Sequence, residues 1–315
     1  MKISSLNIHF LEKTTNSVLY LLREDLLPYA MGGNKVRIAL KLIEDAKHQN
    51  ATCIIAYGNS RSNLCRVLSM LCIKEKIKCI IVSPSDDDGS RVETNNSLLA
   101  SALGVEIIKT PKNASIQSVV ETVINKQKLI GEKPYYIYGD STGTGNEYIH
   151  MSAYVDVAKA IVEFEQQNNL IFDAICLAVG TGSTYAGLTL GLKLCQRDLP
   201  VVGFTIARPK ERCETALNRF YDTFNLRHGT KFYINKQISD IALGEGYGKI
   251  TQNQRTFLGE ALKHYAIAFD ETYVGKAFWG MYQEMYQGHL KGNILFIHTG
   301  SLPLVFDALH KKEVN

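Results

Sequence analysis

The segment REDLLPYAMGGNKVRIALKLIEDA, residues Arg23–Ala46, runs from a loop with two adjacent glycines into an amphipathic helix. Apolar side chains follow the glycines at i, i+3, i+4 and i+7, on Val36, Ala39, Leu40 and Ile43. Lys35 therefore lies in the first turn of the predicted helix, where the helix dipole disfavours a positive charge. An exposed lysine tolerates that position at little cost. The alternative is a lysine that acts uncharged, as a nucleophile.

The composition is typical of a globular protein that binds neither nucleic acid nor membranes. The 315 residues are 45% hydrophobic and 21% charged, and acidic and basic residues are interleaved, with a formal net charge of +4. The first residues, MKISSLNIHFLEK, lack the apolar core of a signal peptide. No segment approaches the ~20 apolar residues that span a bilayer. We expect a cytoplasmic protein.

The cysteines and histidines predict neither a disulfide framework nor a metal site. The seven cysteines are odd in number, form no C-x-x-C pair and lie mostly in apolar runs. Buried free thiols of a reducing compartment fit this pattern better than zinc ligands or a cysteine nucleophile. The eight histidines show no ligand spacing.

Strand and helix patterns alternate over most of the chain. Strands are predicted at 51–57, 78–83, 105–110, 172–179, 199–207, 239–245 and 292–299. This spacing indicates βαβ units, and the continuous apolar strands indicate sheets covered by helices on both faces. We therefore predict an α/β fold of two open, twisted parallel-sheet domains. Residues 1–47 and 149–315 form the larger domain, and residues 48–148 form a smaller inserted one.

Two turns that lead from a strand into a helix are suited to an anion. In YGNSRSNLCR, residues 57–66, Ser62 or Asn63 is a helix cap, and the same groups can hold a carboxylate or phenolate oxygen. In AVGTGSTYAGL, residues 178–188, small residues and the hydroxyls of Ser183 and Thr184 favour a phosphate cradle over a plain turn.

The second of these turns matches neither common nucleotide motif. No lysine follows the glycines as in a P-loop, and Tyr185 stands where a dinucleotide fingerprint has its third glycine. Arg208, just past the next predicted strand, keeps an NADP-dependent dehydrogenase open as a remote alternative.

Three later turns contribute hydroxyl groups, although each on its own is also an ordinary core or turn segment. They are GEGYGKIT (244–251) with Tyr247, DETYVGKAFWGMYQEM (270–285) with Tyr273, and FIHTGSLPLVFD (296–307) with Thr299. A helix-start lysine, a phosphate cradle and several hydroxyls together favour pyridoxal 5′-phosphate, which needs an amine, phosphate donors and a partner for its ring nitrogen. Helix-end potential and burial lower the pKa of a lysine ammonium and so favour the reactive amine.

Six motifs in order resemble D-cysteine desulfhydrases and 1-aminocyclopropane-1-carboxylate deaminases, within the tryptophan synthase β-like group of pyridoxal-phosphate enzymes. They are GGNKVR, SRSNLCR, GTGSTYAGL, GEGYGK, TYVGKAFWGM and HTGSLPLVFD, and the resemblance covers about Leu19 to Phe306. It implies a fold of the same type, a small amino-acid substrate and a homodimer.

The resemblance also implies roles for individual residues. Lys35 matches the lysine that binds the cofactor aldehyde, Ser62 a serine that faces the substrate, and Asn63 an asparagine beside the cofactor. Tyr247 and Tyr273 match two tyrosines near the substrate. The phosphate-binding loop is matched by Gly180, Thr181, Gly182, Ser183 and Thr184.

Thr299 and Val274 bear on the reaction. In desulfhydrase-like members a threonine at the position of Thr299 partners the pyridine nitrogen, whereas in the deaminases a glutamate does so at the position of Val274. A hydroxyl deepens the electron sink less than an acid does. Elimination of a β-substituent, giving sulfide, ammonia and pyruvate from a D-cysteine-like substrate, is therefore favoured over cyclopropane ring opening.

Three positions depart from the family pattern. Leu64 replaces a polar residue near the substrate, Ile38 replaces a lysine that can contact the phosphate, and Ser301 replaces a glycine. An altered substrate fits these changes better than lost activity. A racemase, a β-replacement synthase and a pyridoxal-phosphate-binding protein with little turnover remain as alternatives.

Overall fold

The computed structural model describes residues 6–86 and 89–313, which divide into two compact units. The first unit contains the described residues up to Leu27, the short segment Gly32–Asn34 and the residues from Met151 onward. The second unit contains Pro28–Met31 and Lys35–His150. The boundary thus falls directly before Lys35.

The strands, in chain order, are β1 (Ile8–Lys13), β2 (Ser17–Arg23), β3 (Cys53–Tyr57), β4 (Lys78–Pro84), β5 (Glu106–Thr110), β6 (Pro134–Tyr136), β7 (Ala174–Val179), β8 (Val201–Thr205), β9 (Gln237–Ser239) and β10 (Gly292–His298). The α-helices are α1 (Lys35–His48), α2 (Asn63–Glu75), α3 (Asn95–Ala102), α4 (Ile116–Leu129), α5 (Glu147–Asn168), α6 (Ser183–Leu194), α7 (Lys210–His228), α8 (Gln252–Tyr265), α9 (Val274–Tyr286) and α10 (Leu302–Glu313). A single 3₁₀ turn, Glu24–Leu26, follows β2 within the described residues.

The first unit is built on a six-stranded sheet over the described residues, in the order β1-β2-β10-β7-β8-β9. All neighbouring pairs are parallel except β1 and β2, which form an antiparallel pair at one edge. This hairpin is absent from the sequence prediction because β1 mixes exposed and half-buried residues and lacks a continuous apolar run. The predicted strand at 239–245 is also shorter, since β9 ends at Ser239 and a turn follows.

The second unit has a parallel four-stranded sheet, again over the described residues, in the order β5-β4-β3-β6. Its central strand β3 is almost wholly buried, as the apolar run CIIAY indicates. The predicted α/β class with parallel sheets in both units is therefore confirmed.

Aromatic packing fixes helix α9 in the core of the first unit. Phe278 stacks on Phe269 with ring centroids 4.1 Å apart and meets Phe296 of β10 edge-on at 5.1 Å. Val274, the first residue of α9, is fully buried in the same cluster. The start of α9 is thus held against the sheet by apolar burial, which stabilises each side chain by roughly 1.5–3 kcal/mol.

Helix α1 lies in the second unit, whereas the predicted boundary placed residues 35–47 in the larger domain. The helix packs on α2 and buries Ile38 and Leu42 completely, while Leu40, expected on the buried face, stays half-buried. The apolar spacing identifies the helix but does not specify which core receives it. No helix of the described residues is long and apolar enough to cross a membrane.

We expect substitution by alanine to have opposite effects on stability at two helical glycines of the first unit, Gly187 and Gly259. A Cβ atom on Gly187 of α6 would lie 2.2 Å from the Met151 carbonyl oxygen, whereas one on Gly259 of α8 would meet nothing within 4 Å. We expect Gly187→Ala to lower the free energy of unfolding by about 1–3 kcal/mol through overpacking. Gly259→Ala should raise it by about 1 kcal/mol through helix propensity. Urea titration measures both, and equal effects would contradict the close approach at Gly187.

Candidate active site

The chain just before Lys35 is hydrogen-bonded to the loop that follows β7. The Asn34 side-chain amide donates to Thr184 Oγ1 over 2.9 Å, and both side chains are buried in the first unit. Lys35 is the next residue along the chain. Its backbone is therefore held one peptide bond away from the residue that touches this loop.

The loop itself, Gly180–Thr184, turns the end of β7 into the start of α6. Gly182 is the N-cap with φ of +102°, a left-handed conformation that glycine adopts readily. The first-turn amides of a helix have no acceptor within it. In addition, Ser183 Oγ is buried and has no hydrogen-bond partner among the described residues. Converging donors of this kind suit a phosphate or carboxylate.

The end of β10 contacts the same segment through the backbone. The Asn34 amide donates to the Thr299 carbonyl oxygen over 3.1 Å. A Cβ atom on Gly300 would lie 2.4 Å from the Gly33 Cα, so that only glycine allows this approach. As a result, Thr299, whose side chain is largely buried, lies beside the residue that precedes Lys35.

Lys35 begins α1 and is half-buried. Burial lowers the pKa of its ammonium to about 8. His150, which the sequence analysis did not single out, belongs to the same unit and is buried. Its Nε2 lies 2.8 Å from the Ile137 carbonyl oxygen, and its ring stacks on Tyr138 with centroids 5.0 Å apart.

Two effects keep His150 neutral. Burial lowers the pKa of His150 to about 4 against the opposing effect of the Ile137 hydrogen bond, and the charge of Lys35 adds a smaller lowering effect. At neutral pH this histidine therefore adds no positive charge near Lys35. No spacing rule marks it in the sequence, because its environment comes from the fold.

Ser62 and Asn63 lie at the start of α2 in the second unit, as predicted. Ser62 is the N-cap, and its Oγ accepts from the Cys65 amide over 3.2 Å, which confirms the capping interpretation. Its hydroxyl proton is not used by that bond. Asn63 Oδ1 accepts from Asn96 Nδ2 over 3.0 Å, which fixes the orientation of the Asn63 amide.

Tyr247 and Tyr273, predicted from two separate motifs, come together in the first unit. Their hydroxyls are hydrogen-bonded, and their rings meet edge-on with centroids 5.8 Å apart. Each lies in a short polar segment beside a helix, and Tyr273 immediately precedes α9. The structure thus pairs two phenol groups 26 residues apart in the chain.

Asp270 fixes the backbone at the start of α9, where Tyr273 lies. Its carboxylate accepts from the backbone amides of Thr272, Tyr273 and Val274 at 2.8–2.9 Å. Burial raises the pKa of Asp270 to about 7, against the opposing effect of these amides. Asp270 is absent from the site predicted from the sequence, although an aspartate before an apolar helical run is a capping signal.

Lys276, also missed, is completely buried. Its Nζ donates to the carbonyl oxygens of Leu243, Gly246 and Lys249, in the segment that carries Tyr247. Its position, as a charged residue inside the apolar run VGKAFWGM, could have indicated a buried lysine in the sequence.

The three family departures have different surroundings. Ile38 is fully buried and Leu64 nearly so, both in the second unit. Ser301 has φ of +80°, the left-handed region that favours glycine, so the residue that replaces glycine here carries backbone strain.

The family model for pyridoxal-phosphate dependent enzymes matches residues 5–300. The chain belongs to this family. The cofactor predicted from the sequence, pyridoxal 5′-phosphate, is thereby confirmed, as is the family resemblance.

Relatives and a solved structure are similar to this pyridoxal-phosphate enzyme over nearly its whole length. A Pyrococcus horikoshii protein named "Putative 1-aminocyclopropane-1-carboxylate deaminase" is 30% identical over 290 residues, which are 91% of this chain and 86% of the relative. A D-cysteine desulfhydrase from Serratia proteamaculans is 28% identical over 301 residues, or 91% and 88% of the two chains. The crystal structure of an ACC deaminase homologue superposes with a TM-score of 0.85 at 27% identity and covers 99% and 94%.

The residues present in this enzyme fit the cofactor. Pyridoxal phosphate carries an aldehyde and a phosphate. Lys35, whose pKa is lowered, can react with the aldehyde. The preceding residue, Asn34, is hydrogen-bonded to the loop that contains the buried Ser183 hydroxyl, which has no partner among the described residues. No group of three or more His, Cys, Asp or Glu side chains within the described residues is arranged to hold a metal ion.

Gly300→Ala should destabilise the enzyme far more than a glycine substitution of similar φ in open space. Gly300 has φ of +93° and a backbone neighbour at 2.4 Å, whereas Gly229, with φ of +63° after α7, has nothing within 4 Å. We expect losses of about 3 kcal/mol for Gly300→Ala and about 1 kcal/mol for Gly229→Ala in the free energy of unfolding. Thermal and urea unfolding measure the difference. Equal losses would contradict the contact with Gly33.

Proposed function

We propose that Lys35 binds the cofactor aldehyde and that Gly180, Thr181, Gly182, Ser183 and Thr184 hold its phosphate. The hydrogen bond from Asn34 to Thr184 carries this proposal, because it ties the residue before Lys35 to the loop suited to an anion. Asn63 and Thr299 are the proposed partners of the pyridine ring, Thr299 through its hydroxyl at the ring nitrogen. The larger, cofactor-binding domain comprises the first structural unit together with Lys35.

We further propose that the reaction is α,β-elimination on a small amino acid of the D-cysteine type, which with one water molecule gives sulfide, ammonia and pyruvate. Relatives named D-cysteine desulfhydrase match about nine-tenths of the chain and support this assignment. The apolar core around Val274 supports it further, because a carboxylate in that cluster would be costly to bury.

Pyridoxal phosphate, when bound, would supply an electron sink for negative charge at the substrate Cα. In the proposed mechanism the Lys35 amine would act as the general base that removes the substrate Cα proton. Its lowered pKa of about 8 suits that task at neutral pH. Ser62, Tyr247 and Tyr273 are proposed to orient the substrate and to assist proton transfer through their hydroxyls.

A 1-aminocyclopropane-1-carboxylate deaminase is the second candidate. The Pyrococcus horikoshii relative carries that activity in its name and is 30% identical to this chain. Against it stands Val274, since the resemblance places the deaminases' glutamate at that position. The apolar Ile38 and Leu64 support a third candidate, a pyridoxal-phosphate-binding protein of altered or low activity.

A homodimer in the cytoplasm completes the proposal. The dimer is supported by the family resemblance. A reducing compartment is supported by the seven cysteines, which are all free thiols and, except for half-buried Cys195, buried. Size-exclusion chromatography with light scattering tests the oligomeric state.

A substrate screen tests the proposed reaction. D-cysteine, L-cysteine, D-serine and 1-aminocyclopropane-1-carboxylate are supplied separately, and ammonia, sulfide and 2-oxo acid are measured. We expect sulfide and pyruvate from D-cysteine, and neither from Lys35→Ala. Ammonia and 2-oxobutanoate from the cyclopropane amino acid alone would favour the deaminase, and a bound cofactor without any turnover would favour the binding protein.

Capture of the cofactor should depend on pH through Lys35. The uncharged amine is the reactive form of Lys35. With a pKa of about 8, about a tenth of the Lys35 side chains are uncharged at pH 7, compared with about one in 3,000 for an ordinary lysine. The rate at which cofactor-free protein gains the visible absorbance band should therefore rise about tenfold per pH unit below 8 and level off above it.

Lys35→Ala should show no such band, and Lys47→Ala, which changes an exposed lysine of the same helix, should behave as the parent protein. A rate that keeps rising to pH 10 would contradict the lowered pKa.

A further inference from the structure

The Lys276 ammonium is enclosed by backbone oxygens. Its Nζ lies 2.6 Å from the Leu243 carbonyl oxygen and 2.8 Å from those of Gly246 and Lys249. An ammonium group has three N–H donors and no acceptor, so these three bonds use its full capacity. The side chain is completely buried, and no water is needed to complete its shell.

All three oxygens belong to one segment, 243–249, which we call the tyrosine loop because Tyr247 lies in it. Gly244, Gly246 and Gly248 of this loop have φ of +55°, +103° and +72°, respectively. Hydrogen bonds within the loop include those from the Gly246 amide to the Leu243 carbonyl oxygen at 3.1 Å and from the Lys249 amide to the Gly246 carbonyl oxygen at 3.3 Å. A chain with three left-handed glycines has many alternative conformations. The buried cation selects one of them.

Carbonyl dipoles compensate the buried charge. A cation out of water is costly unless polar groups surround it, and no carboxylate of the described residues is hydrogen-bonded to Nζ. Glu245, an exposed residue of the tyrosine loop, is the acid whose charge acts on it. Main-chain carbonyl oxygens in such an arrangement are also the ligands that bind potassium ions in proteins. Lys276 therefore resembles a monovalent cation tethered to helix α9.

Helix α9 connects this cation to the second tyrosine. Tyr273 immediately precedes α9, and Lys276 follows it by three residues, within the first helical turn. Tyr273 is thus positioned by the start of α9, and the loop that contains Tyr247 is hydrogen-bonded to Lys276 of the same helix. The hydrogen bond between the two phenol groups lies where these two elements meet.

We propose that Lys276 is a positioning residue that acts as a tethered cation: it fixes the tyrosine loop so that Tyr247 meets Tyr273. The structural part of this inference stands alone, whereas its effect on turnover rests on the proposed function of the two tyrosines. A lysine that only fills the core would contribute stability without any preference for a cation in its place.

The tyrosine loop contains its own reporter. Trypsin cleaves after lysine, and the scissile carbonyl of the Lys249–Ile250 bond is one of the three that Lys276 binds. Cofactor-free Lys276→Ala protein, purified in ammonium chloride, is moved into potassium, ammonium or tetramethylammonium chloride of equal ionic strength. Mass spectrometry then follows cleavage at Lys249. Lys276→Gln, which keeps two N–H donors, is the second variant, and Lys263→Gln, at an exposed position of α8, is the matched control.

We expect cleavage after Lys249 to be at least about 10-fold faster in Lys276→Ala with tetramethylammonium, and to return toward the parent rate with ammonium or potassium ions that fit the carbonyl oxygens. Lys276→Gln should be intermediate, and Lys263→Gln unchanged. Parent-like cleavage of Lys276→Ala in every salt would overturn the proposal. So would faster cleavage that no small cation slows, since it would show a packing role only.

Turnover separates this inference from the proposed function. With cofactor bound, kcat of Lys276→Ala should fall about 100-fold through misplacement of Tyr247 and recover with ammonium, while the visible absorbance band is retained. Cation-dependent cleavage together with unchanged kcat would keep the structural role of Lys276 and reject the proposed role of the tyrosines. Loss of kcat without any change in cleavage would overturn the positioning role instead.

Discussion

The hydrogen bond from the Asn34 side chain to the Thr184 hydroxyl is the constraint on which the site depends. It joins the segment before Lys35 to the helix start that follows β7, and the Asn34 backbone amide adds a bond to the end of β10. Three stretches far apart in sequence therefore meet at one residue. The residue before Lys35 is thus bonded to the anion-suited loop by an asparagine side chain that needs no chemical role of its own.

Two buried ionisable groups of the first unit, Asp270 and Lys276, are bonded to backbone dipoles. The Asp270 carboxylate accepts three backbone amides at a helix start, and the Lys276 ammonium donates to three backbone carbonyls. Backbone dipoles are fixed in direction by the fold, whereas a partner side chain would have to be ordered at an entropic cost. Tyr247 and Tyr273 are consequently placed by rigid groups.

Local chemistry was readable from the sequence, and long-range packing was not. The helix after Gly33, the capping role of Ser62 and the glycine-rich turn at Gly180 depend on neighbours within a few residues, so their spacing predicts them. The family motifs identified Tyr247 and Tyr273, but not Asp270 and Lys276, which position them. His150 and Lys276 have hydrogen-bond partners 13 to 33 residues away in the chain. No periodicity encodes such contacts, and none specifies which of two cores receives α1.

The path of the chain between Leu27 and Lys35 limits how this protein can be taken apart. Within those few residues the chain leaves the first unit, returns to it as Gly32–Asn34 and leaves again. Neither unit is consequently a contiguous module: excising Lys35–His150 would discard Pro28–Met31, and retaining all of 28–150 would carry Gly32–Asn34 away from the first unit. Exchanging one half of the chain for the matching half of a relative would therefore break this junction.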